Sequence, residues 1–189
     1  ETERPNAPAD APALTPGVAL ASDGEPLHYL VRGAGPPLLL YNGLVSTHHH
    51  WPFFAAHFRR AFRVIFWDYR GHGGAPAPAH PGSVTTEQFA DDAHAVCARV
   101  AGEQVIACGL SFGVQVALEH YRRHPDEVRA LVLICGTYGH PLDRLSRSPA
   151  LRGGLALALR CFGRLGPVAR AALSMAPSGL PRELAYLVA

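Results

Sequence analysis

A tight strand-to-helix junction between Gln104 and His124 constrains this chain more than any other stretch. Gln104-Val-Ile-Ala-Cys-Gly-Leu110 is an apolar run of strand length. Phe112-Gly-Val-Gln-Val-Ala-Leu-Glu-His-Tyr-Arg-Arg-His124 reads as a helix, closed by Pro125. Between them stands Gly109-Leu110-Ser111-Phe112-Gly113, a G-x-S-x-G pattern. A serine at so sharp a bend sits in a strained backbone conformation, and the flanking glycines avoid collisions across the turn. The bend lifts the Ser111 hydroxyl off the carboxyl edge of a sheet. It also sets the Phe112 N–H at a helix N-terminus, where the dipole favours developing negative charge. The pattern draws its weight from this strand–turn–helix context; the plainer reading is a serine N-cap on an ordinary turn.

The chain has 189 residues, the size of one domain or one with a small appendage. A hydrophobic content of 48% supplies a core and excludes general disorder. The net charge of +2, without any Lys/Arg block, argues against a nucleic-acid partner. Cys97, Cys108, Cys135 and Cys161 lie on apolar runs without C-x-x-C spacing, so they are expected to be buried free thiols. No apolar run is long enough to span a bilayer, and the candidate at Leu155 to Leu159 is closed by Arg160. There is no signal-peptide pattern, and the expected location is cytoplasmic; the chain starts at Glu1 rather than Met, so a removed segment or a trimmed start stays open.

Residues 1–16 are rich in Pro and Ala and read as a flexible tail. Val18 to Ser22 and Pro26 to Arg32 form a hairpin candidate around Asp23-Gly24. Leu38-Leu-Leu-Tyr41 has the continuous apolar character of a strand covered on both faces, and Asn42-Gly43-Leu44 follows it directly. His48 to Arg60 is a helix candidate broken early by Pro52. Phe62 to Trp67 is a strand ending in Asp68-Tyr-Arg-Gly-His-Gly-Gly74. Thr85 or Thr86 caps a helix from Glu87 to about Val100. Val128-Arg-Ala-Leu-Val-Leu-Ile-Cys135 reads as one more buried strand. Strands alternating with helices predict an α/β fold, a mostly parallel sheet with helices on both faces. Ligands of such sheets bind beyond the carboxyl ends of the strands, where Asn42 to Leu44, Asp68 to Gly73 and Ser111 all fall.

These three clusters, in this order and spacing, resemble the α/β-hydrolase family over roughly Val18 to Pro141. The resemblance implies Ser111 as catalytic nucleophile and the backbone N–H groups of Leu44 and Phe112 as its oxyanion hole. Asn42, Gly43, Asp68, Arg70, Gly109 and Gly113 would give structural support, with Asp68 and Arg70 bracing the loop after the fourth strand. Members of the family often carry His where Asn42 stands, but the donor is backbone. Serine at position 111 argues against epoxide hydrolases and haloalkane dehalogenases, which use aspartate there.

A serine hydroxyl needs a base, and the base an orienting acid; the family order is Ser, acid, His. His120 and His124 leave Ser111 along the helix, and a rise of about 1.5 Å per residue carries His120 roughly 13 Å away. His140 lies at the correct edge as a candidate base or pocket wall, with Asp143 a candidate acid just beyond it. Neither completes the pattern. The expectation is therefore the front portion of a hydrolase, truncated or divided, with triad acid and His missing and the chain alone a poor catalyst. Residues 17–141 would form the core and residues 142–189 the start of a helical cap or simple packing against the sheet.

His48-His49-His50 point in different directions along a helix and are expected to face solvent near the pocket mouth. His120 and His124 have the i, i+4 spacing that suits zinc, but the sequence offers no third ligand. Gly33-x-Gly35 lacks the rest of a dinucleotide fingerprint. No cofactor and no metal are expected. The function expected is serine hydrolysis of an ester or related acyl small molecule through a Ser111 acyl-enzyme. Peroxidation, C–C cleavage and acyl transfer use the same scaffold. The alternative is a non-catalytic binding or interaction module. Partners beyond substrate would be the missing C-terminal part or another copy of the chain, paired through the uncovered edge of the last strand.

Overall fold

The computed structural model describes residues 14–44, 46–72, 75, 78 and 81–139. The strands are β1 (Thr15–Leu20), β2 (Pro26–Arg32), β3 (Pro37–Tyr41), β4 (Arg63–Trp67), β5 (Val105–Leu110) and β6 (Val128–Ile134). The helices are α1 (Pro52–Phe58), α2 (Thr86–Val100) and α3 (Gly113–Arg123), with short 3-10 turns at His48–His50, Pro81–Ser83 and Pro125–Glu127. The strands form one sheet in the order β1-β2-β4-β3-β5-β6. β1, β2 and β4 pair antiparallel, whereas β4, β3, β5 and β6 run parallel.

Two apolar layers flank the sheet, as an α/β architecture requires. On one face Leu39, Tyr41, Ile65, Trp67 and Ala107 pack under α2 and α3. On the other, Leu38, Leu40, Val64, Phe66 and Cys108 pack under Trp51 and Ala55 around α1. Every residue of β3 is buried, because both of its faces are covered. The Thr85 hydroxyl caps α2 by accepting from the Gln88 N–H at 3.1 Å. Phe89, Ala93, Val96 and Cys97 then recur on its buried face. Burial of a side chain such as Phe89 contributes about 1.5–3 kcal/mol.

The connections fix the position of the site. The chain leaves β3 toward β4 through α1 on one face, and leaves β5 toward β6 through α3 on the other. Neighbouring strands whose connections depart to opposite faces open a crevice beyond their carboxyl ends. Tyr41 is level with Gly109 in this pair, so Asn42 to Leu44 lie beside Ser111.

Several sequence expectations change. β1 starts at Thr15, inside the expected tail; Pro16 is tolerated because β1 is an edge strand. Pro52 does not break a helix but starts α1, at the position where no N–H is needed. β6 is not fully buried: Ala130, Val132 and Leu133 are exposed, since only β5 pairs with it among the described residues. Cys97 and Cys108 are buried free thiols as expected, but Cys135 is exposed. Cys161 and the expected cap at 142–189 lie outside the described residues. Among the described residues no helix is long and apolar enough to cross a membrane.

Arg70, in the loop after β4, reaches two other elements. It is 2% exposed and does not pair with Asp68. Its guanidinium grips Asp92 of α2 with two bonds, at 2.8 and 2.6 Å, and reaches Asp23 of the β1–β2 turn at 2.6 Å. The bond to Asp92 raises the Arg70 pKa further. The bond from Arg70 holds the Asp23 carboxyl below the usual carboxylate range. One buried cation thus ties the hairpin, the loop after β4 and α2. Replacing Arg70 by methionine leaves Asp92 buried and unpaired, and is expected to cost about 3–5 kcal/mol in urea unfolding. Asp23→Asn, at a partly exposed site, is expected to cost about 1 kcal/mol or less; equal losses in the two variants would contradict this division.

Candidate active site

Ser111 occupies the left-handed region, with φ +54°, between β5 and α3. This conformation is uncommon and strained for a residue with a side chain. The backbone around it is pinned on two sides. The Ser111 N–H donates to the Ile134 carbonyl at 2.8 Å, extending the β5–β6 ladder past the strand. The Ser111 carbonyl accepts from the Val114 N–H at 3.2 Å, at the first turn of α3. Ser111 is not a helix cap: Phe112 holds that position in helical conformation, with no side-chain cap bond. The N-cap reading of the motif is therefore set aside. Ser111 is exposed, and among the described residues no side chain hydrogen-bonds its hydroxyl.

The two motif glycines are fixed by sterics. A Cβ on Gly109 would lie 2.7 Å from the Gly113 carbonyl carbon. A Cβ on Gly113 would overlap the Tyr41 carbonyl and lie 2.8 Å from the Asn42 oxygen. The first residue of α3 therefore rests directly on the end of β3. Gly43 is different: a Cβ there would meet Ser46 Cβ at 3.5 Å and Ser111 Cβ at 3.7 Å, ordinary contacts. Its missing side chain keeps the space in front of Ser111 clear, rather than permitting a special turn.

Asn42 is 1% exposed and organises the turn after β3. Its amide donates to the Trp67 carbonyl at 2.8 Å and to Asp68 Oδ1 at 3.1 Å. Its side-chain oxygen accepts from Trp51 Nε1 at 2.8 Å, and its backbone oxygen from the Tyr69 hydroxyl at 2.9 Å. Asp68 in turn accepts from the His48 N–H at 2.9 Å and pairs with His48 Nδ1 at 2.7 Å. His48 is thus half-buried against Asp68 rather than facing solvent with His49 and His50. Through this network Asn42 and Asp68 hold the loops after β3 and β4 together. Among the described residues no backbone acceptor takes the N–H of Leu44 or of Phe112.

His120 is fully buried far along α3, bonded to the Tyr41 hydroxyl at 2.5 Å and to Glu127 at 3.0 Å. Burial lowers its pKa, against the pull of Glu127, and both ring nitrogens are engaged. His140 and Asp143 lie outside the described residues. Sequence reasoning missed Trp51, Tyr69 and His48 as parts of the site's frame; their partners lie 9 to 27 residues away, beyond any local pattern.

Two glycine-to-alanine variants separate packing from clearance. Gly113→Ala forces α3 off β3 and is expected to lower stability by about 1–3 kcal/mol. Gly43→Ala is expected to stay within about 1 kcal/mol of the parent in the same unfolding measurement. Equal stability of the two variants would contradict the contact between α3 and β3.

The family described as alpha/beta hydrolase fold matches residues 36–152. An uncharacterised hydrolase of Bacillus subtilis, named YraK, is 29% identical over 109 residues, covering 58% of this chain and 40% of that protein. A 2-hydroxymuconate semialdehyde hydrolase of a Pseudomonas species is 32% identical over 132 residues, covering 68% and 46%. The chain thus spans less than half the length of these relatives. An epoxide hydrolase structure from Vigna radiata superposes with a TM-score of 0.63 at 21% identity, covering 70% of this chain and 43% of that one. The chain belongs to the α/β-hydrolase family, and the two relatives named above are hydrolases.

Proposed function

We propose that this chain carries the nucleophile half of a serine hydrolase acting on an ester or related acyl compound. The observation that supports it is the exposed Ser111 in a left-handed turn, near two backbone N–H groups that have no backbone acceptor among the described residues. Ser111 Oγ attacks the substrate carbonyl carbon and loses its proton to a base. The carbonyl oxygen becomes an oxyanion held by the N–H groups of Phe112 and Leu44. Collapse of this intermediate expels the alcohol, which takes up the proton, and leaves an acyl-Ser111 ester for water to hydrolyse. The base and its orienting acid come from outside the described residues, and without them turnover is close to background.

Serine favours acyl substrates over epoxides on chemical grounds. Ring opening by a serine oxygen leaves an ether, which water does not cleave under these conditions. An acyl transfer to the same oxygen leaves an ester, which water does cleave. The epoxide hydrolase likeness therefore bears on the fold, not on the substrate.

A fluorophosphonate probe tests the proposal on the intact gene product. One adduct per chain, mapped to Ser111 and lost in Ser111→Ala, is expected, with ester hydrolysis falling at least about a thousandfold in that variant. A folded protein that takes no label and turns over no ester would favour the non-catalytic binding module.

A further inference from the structure

The rim of the sheet opposite Ser111 carries a second cluster of reactive side chains that the proposed hydrolysis does not use. Along α3 and its exit, Ser111 and His124 are separated by 13 residues, or about 20 Å of helix. Two short patterns face each other there, Asp91-Asp92-Ala93-His94 in α2 and His124-Pro125-Asp126-Glu127 after α3, each placing an acid and a histidine three residues apart.

The geometry draws these side chains onto one point. His94 Nδ1 lies 2.5 Å from Glu127 Oε1, and His120 Nε2 lies 3.0 Å from Glu127 Oε2. The His94 and His124 rings stack with centroids 4.2 Å apart and planes within 3°. His94, His124 and Glu127 each offer a ligand atom, all within 4.8 Å of one another. Behind them, His124 Nε2 pairs with Asp91 Oδ1 at 3.3 Å, and Arg123 fixes Asp91 through two bonds of 2.8 and 2.7 Å. A surface groove of about 380 Å³, with Cys97, Asp126 and Glu127 in its wall, opens beside the cluster.

We propose that His94, His124 and Glu127 bind a divalent transition-metal ion such as Zn²⁺ at this rim. Two imidazoles and one carboxylate form a ligand set that suits zinc and leaves a fourth position for water. A metal ion takes imidazole ligands in their neutral form. Ligand atoms in a tetrahedral zinc site stand roughly 3.4 Å apart, so the His94–Glu127 pair opens by about 1 Å and the two parallel rings tilt to bring their in-plane lone pairs onto one ion. The supporting partners are already in place. His120, wedged between Tyr41 and Glu127, orients the carboxylate, and Asp91 orients His124. Cys97 and His120 lie on the buried side of Glu127, in a second group that shares this carboxylate. The bound ion would clip α2 to the turn that leads from α3 into β6.

Zinc titration of the full chain by calorimetry, with Co²⁺ absorption as a second reading, tests the site. One ion per chain at micromolar or tighter Kd is expected, with affinity reduced at least about tenfold in His94→Gln and in His124→Gln. Replacing His48, His49 and His50 together by asparagine is expected to leave this binding unchanged. His94 is partly exposed, so His94→Gln should fold, which circular dichroism verifies. In the parent protein, zinc should also shift the imidazole ¹⁵N resonances of His94 and His124, a reading that needs no variant. No binding, unshifted His94 and His124 resonances, or binding lost only with the His48–His50 replacement would overturn the proposal.

Discussion

The seating of α3 on the end of β3 is the contact on which the rest of this structure depends. With no side chain at Gly113, the helix start comes within van der Waals reach of the Tyr41 and Asn42 carbonyls. That approach leaves no room for a gradual turn after β5, so one residue takes the whole change of direction, and Ser111 takes it at φ +54°. Such strain persists only where surrounding bonds over-determine it. Here the Ile134 carbonyl holds the N–H of Ser111 and the first turn of α3 holds its carbonyl.

The turn after β3 is held just as firmly, by polar rather than apolar means. Asn42 is buried and each end of its carboxamide is satisfied, by Trp51 on one side and by Trp67 and Asp68 on the other. A fully satisfied buried network rigidifies and specifies its surroundings. It fixes where Gly43 and Leu44 stand relative to Ser111. Arg70 does the equivalent for the loop after β4, with two carboxylates from separate elements.

Much of this was legible in the sequence, because the informative signals are local. Leu38 to Tyr41 and Val105 to Leu110 read as strands from their unbroken apolar runs, and both are strands. The Gly109–Gly113 pattern located the bend to the residue, since only a steric constraint demands glycine at both ends. Proline was the main source of error: it reads as a breaker, yet Pro16 sits on an edge strand and Pro52 opens a helix. The burial of β6 was misread because an apolar run does not reveal whether a strand is central or at an edge. The pairings of Arg70 with Asp92 and of His94 with Glu127 span 22 and 33 residues. No periodicity connects such residues; the seating of α2 against the loop after β4 joins the first pair, and its packing beside α3 and the turn that follows joins the second. The same limit applied to zinc-like spacing at His120 and His124, where the sequence offered no third ligand and the fold supplies His94 and Glu127 as neighbours.

The central claim is that backbone geometry at residues 44 and 112 is built around charge developing next to Ser111. A crystal structure of the intact gene product after phosphonylation measures this directly. The account predicts a phosphonyl oxygen about 2.7–3.1 Å from both the Leu44 and Phe112 nitrogens, with Ser111 still in the left-handed region. An adduct oxygen directed to solvent, or a Ser111 relaxed to negative φ, would contradict it.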